Sequence, residues 1–298
     1  MRVQKIWKLK DREVALGAQT LVMAIVNITP DSFSDGGSFA SPTAAVERAL
    51  RALDEGAALL DLGAESTRPG SHAGGSSPLV SADQEQARLL PVVEGILKAC
   101  PQAVLSIDTY KASTAKAALA AGAAIVNDVS GLCWDFSLAQ EVAQAQAGIV
   151  LSHTRGLPDE WATLPTLPAD EMMRDVRTGL QTSIDKALSA GIAPEAIVVD
   201  PGYGFGKRND ANFALLAHQA ELLALGYPLL AGLSRKSCLG HALAPLCGGH
   251  APAPADREAA SIAALVAAIL HGAAIVRVHS VRPAIKAACI ADAVRARM

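Results

Sequence analysis

Polar side chains of the types that bind ligands follow each of eight short apolar runs in this sequence. They are acids, amides, hydroxyls and cations, at Asn27, Glu65 to Arg68, Asp108, Asn127, His153, Asp200, Arg235 to Ser237, Arg277 and His279. Carboxylates and amide oxygens accept hydrogen bonds from ligand N–H groups, whereas arginine, lysine and histidine can bind anions. Because the same kind of residue recurs after each run, we expect them to share one site.

The apolar runs predict the strands that position these side chains. Each run is too short for a helix, is rich in Val, Ile and Leu, and ends in turn-forming residues, as is typical of strands buried on both faces. Stretches long enough for helices lie between them, including 43–55, 114–121, 171–190 and 257–271. Strand alternating with helix eight times predicts a single (β/α)8 TIM barrel of the α/β class, in which the carboxyl ends of the strands meet at one mouth. The runs are 21–28, 58–66, 104–110, 125–130, 148–155, 196–204, 228–237 and 274–280.

The whole chain, 1–298, is expected to form one domain. A length of 298 residues exceeds the ~250 residues typical of such a barrel by a modest amount. We expect residues 1–20 to form an N-terminal extension, a hairpin or plug that closes the barrel bottom. Residues 69–81 and 240–256 are rich in Gly, Ser, Ala and Pro, and we expect elaborated loops there, the first mobile over a ligand and the second a surface connection.

The composition argues against several classes of protein. A net charge of −3 provides no basic surface for nucleic acid or for an anionic membrane. No apolar run reaches the ~18 residues of a membrane span, and the first residues mix charged with apolar side chains, unlike a signal peptide. Five cysteines without a CxxC pair predict neither a disulfide framework nor a zinc site. We therefore expect a soluble, cytoplasmic protein with small-molecule partners.

Several motifs stand at the ends of the predicted strands. In chain order they read NITPDSFSDGG, GAESTRPGS, SIDT, NDVSG, DPGYGFGKR, GLSRKS and RVHS. These strings, in this order, resemble dihydropteroate synthase, a folate-pathway enzyme family, over about residues 21–281. The resemblance implies a transferase that condenses 6-hydroxymethyl-7,8-dihydropterin diphosphate with p-aminobenzoate and releases diphosphate. It further implies a homodimer and inhibition by sulfonamides.

The resemblance implies a pterin site at four strand ends. A pterin has a guanidine-like edge of N–H donors and a ring carbonyl, so a buried site needs acceptors together with one amide or cation as donor. The positions matching the pterin-binding residues of the family are Asp108, Asn127, Asp200 and Lys236. The alternative for the two aspartates is that they cap the helices that follow.

A diphosphate needs cations, N–H donors and usually Mg²⁺. The resemblance and the residue types together suggest Asn27, Arg68, Arg277 and His279 for this role, with Asn27 also as the metal ligand. A lone histidine is more often structural. Arg277 stands two residues before His279 on the same strand, however, so both side chains share a face.

By resemblance, two mobile loops build the aminobenzoate pocket, from Phe33, Thr67, Pro69, Phe205 and Ser237. The expected catalytic residues are Asp31, Asp35, Arg68 and Lys236. Ordinary packing is the alternative for the two phenylalanines, although both lie in polar, Gly-rich loops.

Three features depart from the family pattern. Ser152 stands where the family commonly has Met, Ser280 where it usually has Asp, and the loop after Arg68 is longer, with the insertion SHAGGSSP. We expect the added glycines to raise the entropy of the open loop. Two rival functions stay open, a pterin-dependent methyltransferase on the same barrel and a pterin-binding homologue without turnover.

Overall fold

Eight parallel strands close into a barrel at the centre of the molecule, preceded by a two-stranded hairpin. The computed structural model describes residues 4–29, 41–67, 70–75 and 80–298. In the barrel, each strand lies beside the next one in the chain, and the last strand returns to the first. The predicted TIM barrel is confirmed. The strands are β1 Lys5–Leu9 and β2 Arg12–Leu16 of the hairpin, and β3 Leu21–Asn27, β4 Leu59–Gly63, β5 Leu105–Asp108, β6 Ile125–Asp128, β7 Gly148–Ser152, β8 Ile197–Asp200, β9 Leu229–Ala231 and β10 Ala273–Val278 of the barrel.

Helices connect successive barrel strands and cover the outside of the barrel. Their starts carry the expected signals: Ser41 accepts a hydrogen bond from the Ala44 amide ahead of Pro42, and Ser81 forms a capping box with Gln84. In the part of the chain that the structure describes, no helix combines the length and the apolar character that crossing a bilayer requires. The α-helices are α1 Pro42–Asp54, α2 Ala82–Ala99, α3 Ala112–Ala120, α4 Leu138–Ala145, α5 Ala169–Ser189, α6 Asp210–Ala217, α7 Ser237–Leu243, α8 Glu258–Leu270 and α9 Val281–Arg295, and short 3₁₀ helices span Pro194–Ala196, Gln219–Leu225, Ala244–Cys247 and Pro254–Arg257.

The expected surface loop 240–256 is in part helical. Gly240 lies within α7, and residues 244–247 form a 3₁₀ turn. A β-carbon at Gly240 would lie 2.6 Å from Arg257 Nε. Arg257 uses the space to donate to the carbonyl oxygens of Pro252 and Arg235. The glycine thus serves packing inside a helix, and the composition of the segment alone did not indicate this.

The hairpin of β1 and β2 packs against the bottom of the barrel. The side chain of Trp7 is fully buried in one cluster with Leu9, Leu16 and the lowest inward side chains of the barrel strands. Its indole Nε1 donates to the Ala196 carbonyl at 2.7 Å, which satisfies the single polar group of the ring.

The barrel interior changes from apolar to polar over one step of two residues. Inward residues on a strand recur every second position, and the lower layer contains Met23, Leu59, Ile125, Val150, Val198, Leu230 and Ile275. Two residues further along each strand, the upper layer consists of Ile25, Asp61, Asn127, Ser152, Asp200, Gly232 and Arg277. The fold therefore brings the polar residues of five of these strands to one end of the barrel.

Candidate active site at the barrel mouth

An arginine joins two aspartates across the mouth. Arg277 Nε, on β10, donates to Asp61 Oδ2 at 2.5 Å, and its Nη2 donates to Asp108 Oδ2 at 2.6 Å. The side chain of Asp61 is fully buried, whereas Arg277 and Asp108 retain 17% and 18% of their exposure. Charge-assisted hydrogen bonds shielded from water are strong. The arginine thus ties β10 to β4 and β5 at the floor of the mouth.

Asp61 was not identified from the sequence, although it is central to this network. Besides Arg277, it accepts hydrogen bonds from Ser106 Oγ at 2.6 Å and from Asn127 Nδ2 at 3.0 Å. A signal was present: an acid inside an otherwise apolar strand, two residues after the inward Leu59. A buried acid requires partners of this kind.

The four residues expected to bind a pterin all lie at the mouth. Asn127 and Asp200 are each 6% exposed, on β6 and β8, and Lys236 precedes α7. Asp200 Oδ1 accepts the Gly202 amide at 2.7 Å, within its own turn. The N-cap residues of α3 and α6 make no side-chain cap, and the Ala112 amide at the start of α3 donates to Asp135 Oδ2 at 2.8 Å, so the alternative that Asp108 and Asp200 cap the following helices is not supported.

Burial is the largest influence on the charges at the mouth. It raises the pKa of Asp108 to about 7 against the opposing charge of Arg277, and it also raises the pKa of Asp200. It lowers the pKa of Lys236 to about 8, while the Asp200 carboxylate acts in the other direction. Acids with raised pKa values beside a lysine with a lowered pKa, in one concave region, are characteristic of ligand sites and catalytic sites.

Lys236 is adjacent to a flat aromatic wall. Its Nζ lies 3.7 Å from the centroid of the Phe205 ring and donates to the Tyr203 carbonyl. Phe205 in turn packs on Trp161, with ring centroids 5.2 Å apart and an interplanar angle of 32°. The half-buried Phe205 thus presents an apolar face beside a cation, which suits a planar ligand.

A second lysine fixes the loop that follows β8. Lys207 Nζ donates to the carbonyl oxygens of His153, Gly202 and Phe205 at 3.0, 2.8 and 3.2 Å. Gly202 has φ +67°, and a β-carbon there would lie 1.9 Å from the His153 carbonyl oxygen. Lys207 was assigned no role from the sequence. The indication was a lysine that ends a glycine-rich run, where exposed carbonyls need a donor.

The residues expected to bind diphosphate occupy different positions at the mouth. Asn27 is half-buried at the end of β3. His279 Nδ1 lies 3.0 Å from Ser234 Oγ, just beyond β10. Arg277 is paired with Asp61 and Asp108, so a diphosphate would share it with these acids.

The aminobenzoate residues are described only in part. Thr67 is half-buried and Ser237 is exposed at the first turn of α7. Asp31, Phe33, Asp35, Arg68 and Pro69 lie outside the described residues.

Comparison with known proteins decides the family. The family model described as "Pterin binding enzyme" matches residues 23–279. A dihydropteroate synthase from Mycobacterium leprae is 42% identical over 270 residues, covering 91% of this chain and 92% of that protein.

This chain belongs to the dihydropteroate synthase family. Two solved structures of the family agree with that result. The enzyme from Yersinia pestis with a sulfonamide drug has a TM-score of 0.87 at 36% identity and covers 98% of this chain and 100% of that one. The enzyme from Xanthomonas albilineans with 4-aminobenzoic acid has a TM-score of 0.85 at 37% identity, covering 99% of both chains. The family and the transferase class inferred from the sequence are confirmed.

The two serines that depart from the family pattern have defined surroundings. Ser152 is 2% exposed in the upper interior layer, where β7 pairs it with Asp200 of β8. Ser280 Oγ accepts a hydrogen bond from Arg235 Nη2 at 3.1 Å. For His153, one of the polar residues that follow the apolar runs, the alternatives are a structural role and support of a residue that contacts the ligand. It is buried, and burial holds its pKa well below the ordinary value. A neutral, buried imidazole supports the structural role.

Proposed function

We propose that this protein condenses 6-hydroxymethyl-7,8-dihydropterin diphosphate with p-aminobenzoate to give 7,8-dihydropteroate and diphosphate. The observation that carries the proposal is the set of acceptors formed by the half-buried Asp108 and the buried Asn127 and Asp200, with Lys236 as the adjacent cation. This set matches the N–H edge and ring carbonyl of a pterin. The related structures that contain a sulfonamide drug and 4-aminobenzoic acid support the second substrate and the inhibitor class.

The reaction breaks the C–O bond between the pterin methylene and the diphosphate and forms a C–N bond to the aminobenzoate amine. The bonding electrons leave with diphosphate, and the amine supplies a lone pair and then releases a proton. An electron-rich pterin can carry the positive charge that develops, so the path is dissociative and needs no covalent nucleophile. The protein must align the amine and stabilise charge. Among the described residues, Lys236 is proposed to orient the pterin, and Asp31, Asp35 and Arg68 are proposed as the other catalytic residues, the two carboxylates to stabilise the positive charge.

Diphosphate binding is assigned to Asn27, Arg68, Arg277 and His279. The described residues contain no group of three His, Cys, Asp or Glu side chains that could hold a metal. Mg²⁺ fits the mouth nonetheless, because it can be held by one amide oxygen together with substrate phosphates and water. Asn27 would hold the ion, which would neutralise charge on the leaving diphosphate.

The aminobenzoate is proposed to lie between the two mouth loops and the Phe205 wall. Thr67, Phe205 and Ser237 are the described members of this pocket, and Phe33 and Pro69 complete it. Sulfonamides, which resemble p-aminobenzoate, are the proposed inhibitors.

Assembly and location are further parts of the proposal. Ile290 and Val294 on α9 are 66% and 49% exposed, and this apolar surface supports a homodimer. All five cysteines are free, as is usual in the reducing cytoplasm. Sedimentation analysis tests the dimer, and a monomer at micromolar concentration would contradict it.

The test is release of diphosphate from the pterin diphosphate with and without p-aminobenzoate, together with detection of 7,8-dihydropteroate. We expect product only when both substrates are present. A pterin-binding homologue without turnover would bind the pterin and release nothing. A methyltransferase would form no dihydropteroate and would show methyl transfer to or from a reduced pterin.

A further inference from the structure

The loop after β4 is anchored at its start by buried charges. Glu65 Oε2 lies 2.5 Å from Lys111 Nζ, which is also 3.2 Å from Glu85 Oε2 on α2. Glu85 is 1% exposed, and Arg88, one turn further along α2, donates to the Ala64 carbonyl at 2.9 Å. Burial makes it costly to separate these charges. The backbone just before Thr67 is therefore fixed in position.

The same loop has a second anchor inside its insertion. Gly74 has φ +76°, and a β-carbon there would lie 2.5 Å from Trp134 Cδ2 and 3.0 Å from Leu157 Cδ2. The adjacent Ala73 is 2% exposed, and the Gly70 amide donates to the Pro158 carbonyl at 2.9 Å. The inserted glycine, which we expected to loosen the loop, instead permits close contact with an indole.

The residues that hold the two anchors contact one another through Tyr110. Lys111 Nζ lies 4.5 Å from the centroid of the Tyr110 ring, and that ring meets Trp134 edge-on, with centroids 5.2 Å apart and an angle of 77°. Tyr110 is 7% exposed. Lys111, Tyr110 and Trp134 thus form a continuous row, which we call the loop support, beneath residues 64–67 and 70–75.

We propose that the loop support positions the loop after β4 so that Thr67 is held at the mouth before aminobenzoate arrives. Lys111, Tyr110 and Trp134 are then positioning residues that act through the loop, and the insertion is the part that docks on Trp134. This inference rests on the proposed function, because it assigns Thr67 to the aminobenzoate pocket. Its signature is a change in the KM for aminobenzoate without a change in pterin diphosphate binding.

Two glycines of the loop provide a matched test. Gly70 and Gly74 have φ +83° and +76°, so alanine meets similar backbone strain at both, but only at Gly74 would the methyl group strike an aromatic ring, whereas Gly70 has open space. We expect Gly74→Ala to raise the KM for aminobenzoate about tenfold, because a misplaced binding group loses alignment. Gly70→Ala should stay within about twofold of the unaltered protein on the same reasoning. Calorimetry with pterin diphosphate should give the same Kd for all three proteins.

Hydrogen exchange on peptides covering residues 64–75 separates this inference from the proposed function. In the protein without ligands, Gly74→Ala and Trp134→Leu should exchange faster over this region than the unaltered protein and Gly70→Ala. If no dihydropteroate forms, the proposed function fails, and the exchange comparison still decides whether the support holds the loop. Equal exchange in the two glycine variants, or an equal rise in KM, would overturn the inference. So would a loss of pterin diphosphate affinity in Gly74→Ala as large as the change in KM.

Discussion

The two ends of the barrel interior are built from the same strands and differ in almost every other respect. At the bottom, Trp7 and the lower layer form an apolar cluster. At the mouth, Asp61, Asp108 and Arg277 form ion pairs at 2.5 and 2.6 Å. Apolar burial stabilises a fold directly, whereas a buried ion pair often contributes little net stability, because its desolvation offsets the attraction. The bottom therefore accounts for stability, and the mouth is retained for what it binds.

The largest effect is expected from removing the arginine at the mouth. Arg277→Met leaves the fully buried Asp61 with Ser106 and Asn127 as its remaining partners among the described residues. We expect the free energy of unfolding to fall by about 3–5 kcal/mol in urea titrations at pH 7. Pterin affinity should fall as well, because Asp108 loses the charge that opposes the rise in its pKa.

A double variant tells whether the ion pair serves stability or function. Asp61→Asn combined with Arg277→Met removes both buried charges, so most of the lost stability should return while pterin binding stays impaired. If the double variant is no more stable than Arg277→Met, the mouth contributes to stability as the bottom does, and the contrast between the ends fails.

The bottom should show the opposite combination of effects. Trp7→Ala opens a cavity in the lower cluster, and we expect a loss of about 3–5 kcal/mol in unfolding free energy. Pterin affinity, measured by calorimetry below the unfolding transition, should not change. Ile6→Ala is the control on the same strand, since Ile6 is 44% exposed and should change stability by about 0.5 kcal/mol or less. If pterin affinity fell together with stability, the hairpin of β1 and β2 would also determine the geometry of the mouth.

A smaller effect is expected from Asp108→Asn. It replaces an anionic acceptor with an amide of the same shape, and a lost charge-assisted hydrogen bond is worth about 1.5–3 kcal/mol, or at least tenfold in pterin affinity. Asp128→Asn is the matched control, because Asp128 is fully buried on the neighbouring strand and accepts the amides of Ser130 and Leu132 instead. That variant should lose stability and keep its pterin affinity. Unchanged pterin binding in folded Asp108→Asn would contradict the assignment of Asp108.

The sequence predicted the strands and their polar ends because both signals are local. Apolar runs and the residues that follow them lie within a few positions of one another, and Asp108, Asn127 and Asp200 were located in this way. Asp61 was missed because it stands inside a run, where only the alternation of the strand identifies it as inward-facing. The contact between Gly74 and Trp134 joins residues far apart in the chain, through the shape of an insertion, so no local pattern could predict it. Likewise, the pairing of Arg277 with Asp108 depends on barrel closure, which brings β10 round to β3.

The smallest effect concerns pH, and it should have opposite signs for binding and for stability. The proposed pterin site uses the Asp108 carboxylate, whose pKa burial raises to about 7, so affinity should fall by about tenfold for each pH unit below that value. Stability changes the other way. Because the folded state binds this proton more tightly than the unfolded chain, the contribution of Asp108 is fully present below about pH 4 and is lost as pH rises through about 7. Calorimetric titrations and urea unfolding between pH 5 and 8 measure both trends.

The variant Asp108→Asn is the control. Both pH dependences should become shallower in this variant, and the dependence that remains should be the contribution of Asp200, whose pKa is also raised. If the binding profile of Asp108→Asn kept the slope of the unaltered protein, another group would control the pH dependence.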